Sequence, residues 1–252
     1  MTQQINNFNW FTCPLLRNQP KLRLFCFPYA GGGSMVYRGW EKTLPADIEI
    51  HILQLPGRDK RFFEEIPRSV SKMVEGLKQG IQPYVNEPFA FFGHSMGALL
   101  AFELARTLVK EENVSPLHLF VSGKAAPHLK NIYRTIYNLP KEQFLQELSN
   151  LNGTPKEVLE NKELMEIYEP ILRGDFEVCD TYLYKRGNLL TCPISVFGGL
   201  QDVRIDERNL KAWGELTTGF NQVRMIEGDH FFLHSQQDFI QNAIISDLKC
   251  NV

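Results

Sequence analysis

The segment Gly93-His94-Ser95-Met96-Gly97 lies between a short apolar run, Phe89-Ala90-Phe91-Phe92, and an amphipathic stretch that begins at Ala98. Few chain geometries accommodate that order. It reads as a strand, a sharp turn with a serine at its apex, and a helix. The turn is strained, and a side chain at either flanking position would collide with nearby backbone. Glycine removes the collision. The serine hydroxyl then projects above the carboxyl end of a sheet, and the N-terminus of the following helix favours negative charge at the same place. With 18 glycines in the chain, the five-residue pattern alone could arise by chance. The strand before it and the helix after it argue otherwise.

The rest of the chain repeats the same alternation. Strands are predicted at Leu22–Phe27, Ile48–Leu53, Phe89–Phe92, Leu117–Val121, Ile194–Phe197 and Val223–Ile226, each apolar on both faces as a doubly covered strand must be. Helices are predicted between them at Met35–Leu44, Ser69–Tyr84, Ala98–Lys110, Asp206–Gly214 and Asp238–Leu248. Strands alternating with helices predict a mostly parallel sheet covered on both faces. With the serine turn, this is the α/β-hydrolase fold, expected as a single domain over 1–252. The stretch from about 124 to 192 is far longer than a crossover helix requires. It is read as a helical lid insertion with helices at Pro140–Leu148, Pro155–Glu160, Lys162–Leu172 and Phe176–Tyr184. The residues before Leu22 fit either a mobile arm or a packed edge.

Ser95 is the candidate nucleophile. Its chemistry requires two N–H donors for a developing oxyanion. One is the backbone amide of Met96, just after the serine. The other belongs to a loop after an earlier strand. Phe27-Pro28-Tyr29-Ala30-Gly31-Gly32-Gly33 is that loop, and Ala30 is assigned the second donor. Neither GxGxxG nor GxxxxGK[ST] is present, so the glycines do not read as a phosphate cradle. The base and acid should follow in the order serine, acid, histidine. His230, after the final strand, is the preferred base, with His234 as its rival one helical turn on. His51 and His118 read as packed core histidines. Asp202, just past Ile194–Phe197, is the preferred acid. Asp206 suits a helix N-cap and Asp229 a turn cap.

Composition narrows the alternatives. The chain has 252 residues, 43% hydrophobic and 22% charged, enough for a real core. With 27 basic and 29 acidic residues the net charge is -2, which gives no electrostatic case for nucleic acid or a membrane surface. Cys13, Cys26, Cys179, Cys192 and Cys250 are scattered and odd in number, so neither a disulfide framework nor a zinc site is expected. The start, MTQQINNFNWF, lacks the pattern of a signal peptide, and the expected location is cytoplasmic. No metal ligand set is expected.

Five segments together carry a resemblance. Phe27-Pro-Tyr-Ala-Gly-Gly, Gln54-Leu-Pro-Gly-Arg58, Gly93-His-Ser-Met-Gly-Ala98, Gly198-Gly-Leu-Gln-Asp202 and Gly228-Asp-His-Phe231 resemble the type II thioesterases, the stand-alone editing hydrolases of nonribosomal peptide and polyketide synthases. They occur in the family's order, from about Leu22 to Leu233. The resemblance implies removal of misprimed or stalled acyl groups from the phosphopantetheine arm of an acyl or peptidyl carrier protein, with Ser95, Asp202 and His230 as the triad and Ala30 and Met96 as oxyanion donors. It implies no cofactor beyond the arm borne by the substrate protein, and a monomer is expected. Arg58 reads first as a residue holding its turn by hydrogen bonds. The same residues would serve a carboxylesterase on small oxygen esters or a medium- or long-chain fatty acyl thioesterase. A binding module that kept the fold would be expected to have lost one of the three catalytic groups.

Overall fold

The structure, a computed structural model, describes residues 10–249. The opening residues 1–9, on which the signal-peptide reading mostly rested, and Cys250 lie outside the described residues. Seven strands form one sheet: β1 (Phe11–Thr12), β2 (Leu22–Phe27), β3 (Ile48–Leu53), β4 (Phe89–His94), β5 (Leu119–Ser122), β6 (Ile194–Gly199) and β7 (Asn221–Ile226). Their order is β1-β3-β2-β4-β5-β6-β7. Only β1 runs antiparallel, pairing Phe11 with Leu53 at the edge, so residues 10–12 are a packed edge. The other pairs are parallel.

Alternation along each strand divides the core into two layers. Phe25, Phe27, Phe89 and Phe91 face one layer, with α2 (Val70–Ile81) and α3 (Met96–Glu112) laid over it. Leu24, Cys26, Ala90 and Phe92 face the other, under α1 (Trp40–Thr43) and α9 (Gln237–Lys249). The first layer is rich in edge-on aromatic pairs. Phe25 lies 4.8 Å from Phe11 and 5.5 Å from Tyr84, centroid to centroid. Such pairs add to the area term of burial.

Between β5 and β6 come α4 (Lys141–Leu151), α5 (Lys156–Leu159) and α6 (Lys162–Asp180), with a small apolar cluster of their own around Phe144, Leu148 and Leu172. Helices α7 (Glu207–Lys211) and α8 (Phe232–Ser235) follow β6 and β7. Some predicted helices differ. Met35–Leu44 is not one helix: it splits into a 3-10 turn at Ser34–Tyr37 and the short α1, because Gly39 takes a left-handed φ of 94° between them. Conversely, Lys162–Leu172 and Phe176–Tyr184 are not two helices. One helix runs through Gly174 to Asp180, with Pro170 inside it. Tertiary packing overrides the weak propensity there: Gly174 lies against Ile66, and Asp175 finds a buried cation partner.

Phe25 is fully buried. Phe25→Ala is expected to lower the unfolding free energy by about 3–5 kcal/mol, measured by urea titration. A loss under about 1 kcal/mol would mean that this layer is not the packed core described.

Candidate active site

The parallel strands point their carboxyl ends the same way, and every residue singled out for chemistry sits there. Ser95 follows β4, Asp202 follows β6 and His230 follows β7. Ser95 has φ 53° and ψ -113°, a strained backbone for a residue with a side chain. Its neighbours explain how the turn is held. A Cβ on Gly93 would fall 2.3 Å from the Gly97 oxygen, and a Cβ on Gly97 only 1.9 Å from the Phe27 oxygen. The Ser95 amide donates to Ser122 O at 2.8 Å, tying the turn to β5.

The close approach at Gly97 brings the loop after β2 against the start of α3. Met96 opens that helix, where an amide lacks an intrahelical acceptor. Ala30 lies in the loop. Among the described residues, neither amide has an acceptor, whereas the next two in the loop do: Gly31 N–H donates to Asp175 Oδ2 at 2.7 Å and Gly32 N–H to Tyr29 O at 2.9 Å.

His230 Nδ1 lies 2.6 Å from Asp202 Oδ2, and the Asp202 side chain is only 2% exposed. That contact fixes the ring so that Nε2 is the free nitrogen. His234 is engaged elsewhere, 3.0 Å from the Tyr29 hydroxyl. Tyr29 also meets the Phe231 ring edge-on, which packs the loop after β2 against the loop after β7. Asp206 caps α7 in a reciprocal pair with Asn209. Asp229 accepts the Phe231 amide and, through its other oxygen, a bond from Asn152 in the insertion. His94 is fully buried, 2.9 Å from Ser122 Oγ, and burial with the nearby His230 holds its pKa well below the ordinary range, so it is neutral.

Arg58 is buried, and its side-chain bonds go not to its own turn, as expected, but to the loop after β2 and to α6. Its Nη1 and Nη2 meet the Asp175 carboxylate at 2.5 and 2.7 Å, and Nη1 donates to Gly32 O at 3.1 Å. Asp175 was not foreseen from sequence. By sequence it falls in a break between two predicted helices, and nothing in the local pattern marks it for a buried partner.

A second serine, histidine and aspartate also meet. His118 Nε2 lies 2.9 Å from Ser195 Oγ, which donates to Asp247 Oδ2 at 2.6 Å. Asp247 is also paired with Arg224. The order of bonds is what matters. Ser195 has one proton and gives it to the carboxylate, because two acceptors cannot face each other so closely. His118 then donates to Oγ, the reverse of what a general base does. Ser195 is 1% exposed, and it lies with His118 at the amino end of β5 and β6. This is a core network. Burial, first, holds His118 at about 4, below its usual 6.5.

Among the described residues, one cluster has the composition of a metal site: Cys13, Glu49 and His51, with ligand atoms within 4.8 Å of one another. It lies on β3 and beside β1, apart from Ser95. Glu49 is already bonded to the Arg17 amide and His51, with Arg23 Nε 3.5 Å away, and a guanidinium there opposes a cation.

A thioesterase-domain family profile matches residues 22–249. The gramicidin S biosynthesis protein GrsT of Aneurinibacillus migulanus is 47% identical over 234 residues, 93% of this chain and 91% of that protein. The medium-chain S-acyl fatty acid synthase thioesterase of Homo sapiens is 33% identical over 255 residues, 98% and 95% of the two chains. The solved structure of the type II thioesterase BorB from the borrelidin biosynthetic cluster superimposes with a TM-score of 0.86 at 32% identity, covering 94% of this chain and 96% of that one.

Two outcomes follow from the core network. Ser195→Ala should cost about 1–3 kcal/mol of stability while leaving turnover essentially intact. A loss of turnover as large as that of a nucleophile mutant would make the network catalytic. The depressed pKa of His118 means that the unfolded chain binds more protons between pH 6.5 and about 4, so unfolding free energy should fall as pH falls through that window. His118→Gln should make the slope shallower in urea titrations across it. An unchanged slope would show that His118 does not contribute.

Proposed function

We propose that this chain, which belongs to the thioesterase family, is a type II editing enzyme that hydrolyses acyl groups from the phosphopantetheine arm of a carrier protein in nonribosomal peptide or polyketide synthesis. The observation that carries the hydrolytic reading is the Asp202–His230 contact at the sheet end that also holds a strained Ser95 and two uncommitted amides. The substrate class is supported by the likeness to a gramicidin S biosynthesis protein over nearly the whole length of both chains.

The chemistry runs in two halves. His230 Nε2 takes the Ser95 proton as Oγ attacks the thioester carbonyl. Asp202 accepts the Nδ1–H bond throughout and stabilises the imidazolium. The carbonyl oxygen, now negative, is held by the Ala30 and Met96 amides. The C–S bond breaks, the thiolate takes the proton from His230, and an acyl-serine remains. Water then gives a proton to His230 and attacks the acyl carbon. The acyl–Oγ bond breaks, the proton returns to Ser95, and the free acid leaves. These steps use no metal and no organic cofactor, and the phosphopantetheine arrives with the substrate.

The segment from 124 to 192 is read as a lid over the acyl chain, in a chain acting as a monomer. Its Asn152 bond to Asp229 places it against the histidine loop. No helix among the described residues is long and apolar enough to cross a membrane. A second reading, a medium-chain fatty acyl thioesterase, is favoured by the 33% identity to the human enzyme of that name.

The test is loss of acetyl from an acetyl-phosphopantetheine carrier protein, followed by intact mass. Wild type should clear the carrier faster than acetyl-coenzyme A or an oxygen ester, and Ser95→Ala should lower turnover by at least about a thousandfold. A strong preference for octanoyl or decanoyl carriers would favour the fatty acyl reading. An active Ser95→Ala variant would sink the serine mechanism.

A further inference from the structure

The glycines of the loop after β2 permit the geometry of an oxyanion hole but do not enforce it. Glycine has more conformations open to it than any other residue, so three in succession need an external constraint. We propose that Asp175, on helix α6 of the insertion, is a positioning residue that, together with Arg58, sets the direction of the Ala30 N–H. This rests on the assignment of Ala30 and Met96 as oxyanion donors.

The Ala30 N–H shares its plane with the Tyr29 carbonyl and points the opposite way, because the peptide is planar and trans. Tyr29 O is held by the Gly32 amide at 2.9 Å. The next plane holds the Gly31 N–H, and Asp175 Oδ2 takes it at 2.7 Å. Gly32 O is held by Arg58 Nη1 at 3.1 Å. Each peptide on either side of Gly31 is therefore fixed, and two of the three anchors come from the Arg58–Asp175 pair. Gly31 itself has a φ of 80°, which a helix-borne carboxylate holds in place from above, with the Leu172 side chain beside it.

Stability does not account for the pair. Asp175 is 0% exposed and Arg58 is 6% exposed. A buried ion pair is often no more stabilising than apolar side chains of similar volume. What apolar side chains cannot supply is a directional acceptor for Gly31 and a donor for Gly32. Because Asp175 belongs to the insertion and the amides belong to the sheet end, the insertion acts as part of the catalytic apparatus: its displacement would release the oxyanion loop.

The decisive variant combines Arg58→Met with Asp175→Leu, which removes both anchors without leaving a lone buried charge. Its melting temperature should stay near that of wild type. Its kcat should fall about 10- to 100-fold, approaching the loss seen when an oxyanion donor is removed, with KM nearly unchanged. The loss should be equal on an acetyl-carrier protein and on acetyl-N-acetylcysteamine. Affinity for a trifluoromethyl ketone, which forms a tetrahedral adduct on the serine, should fall by the same factor. Asp175→Asn keeps an acceptor oxygen and should lose less, which provides a second reading if the double variant does not fold. Wild-type kcat and ketone affinity in a folded double variant would overturn the proposal, as would wild-type values in Asp175→Asn should the double variant not fold. Ser95→Ala in the same assays separates the two levels: if it is inactive, only the positioning role has failed; if it is active, the serine reading has failed first.

Discussion

The end of β2 and the start of α3 lie so close that a Cβ on Gly97 would fall 1.9 Å from the Phe27 oxygen. This one contact sets the rest of the site. It is backbone against backbone, so rotamer changes cannot relieve it. It fixes the start of α3 against the end of β2, beside the loop that holds Ala30. Gly93 is constrained by the same helix from the other side, where a Cβ would fall 2.3 Å from the Gly97 oxygen. Between them Ser95 is held at a positive φ, and the strain is supported by the bond from its amide to β5.

The sheet's polarity does the other half of the positioning. Because β4, β6 and β7 are parallel, the loops that follow them converge at one end, although Ser95 lies more than a hundred positions before Asp202 and His230. Polarity is also what separates the two sets of serine, histidine and aspartate. Ser95, Asp202 and His230 follow their strands. Ser195 and His118 lie at the opposite end, in the core, with the hydroxyl proton already committed to Asp247. Residue type alone would not distinguish them. Burial and the direction of donation do.

Much of this was legible because the signals are local. Gly93 and Gly97 announce a close approach, the apolar strands announce a doubly covered sheet, and Asp202 and His230 are marked by following strands. Asp206 and Asp229 could be set aside as caps because capping is decided within a few residues. What was not legible depends on distant partners. Asp175 is one residue at an expected helix break until Arg58, 117 residues earlier, is brought beside it. The break expected near Gly174 is absent for the same reason: Ile66 occupies the space a side chain would need, and that is tertiary information. The edge strand at Phe11–Thr12 is too short for a periodic signal and exists because Leu53 offers it a partner.

These two kinds of information correspond to two physical roles. Glycines and strand ends define what the backbone is allowed to do. Long-range polar contacts choose among the allowed states. In the loop after β2 both operate on adjacent residues. Gly31 and Gly32 open the conformational space, and a carboxylate from the inserted helix with its guanidinium partner closes it. An insertion that touched only the acyl chain could be exchanged freely among relatives with different substrates. One that also anchors the backbone beside Ser95 must keep its register against the sheet, so the requirement proposed at Asp175 comes from the reaction and not from the ligand.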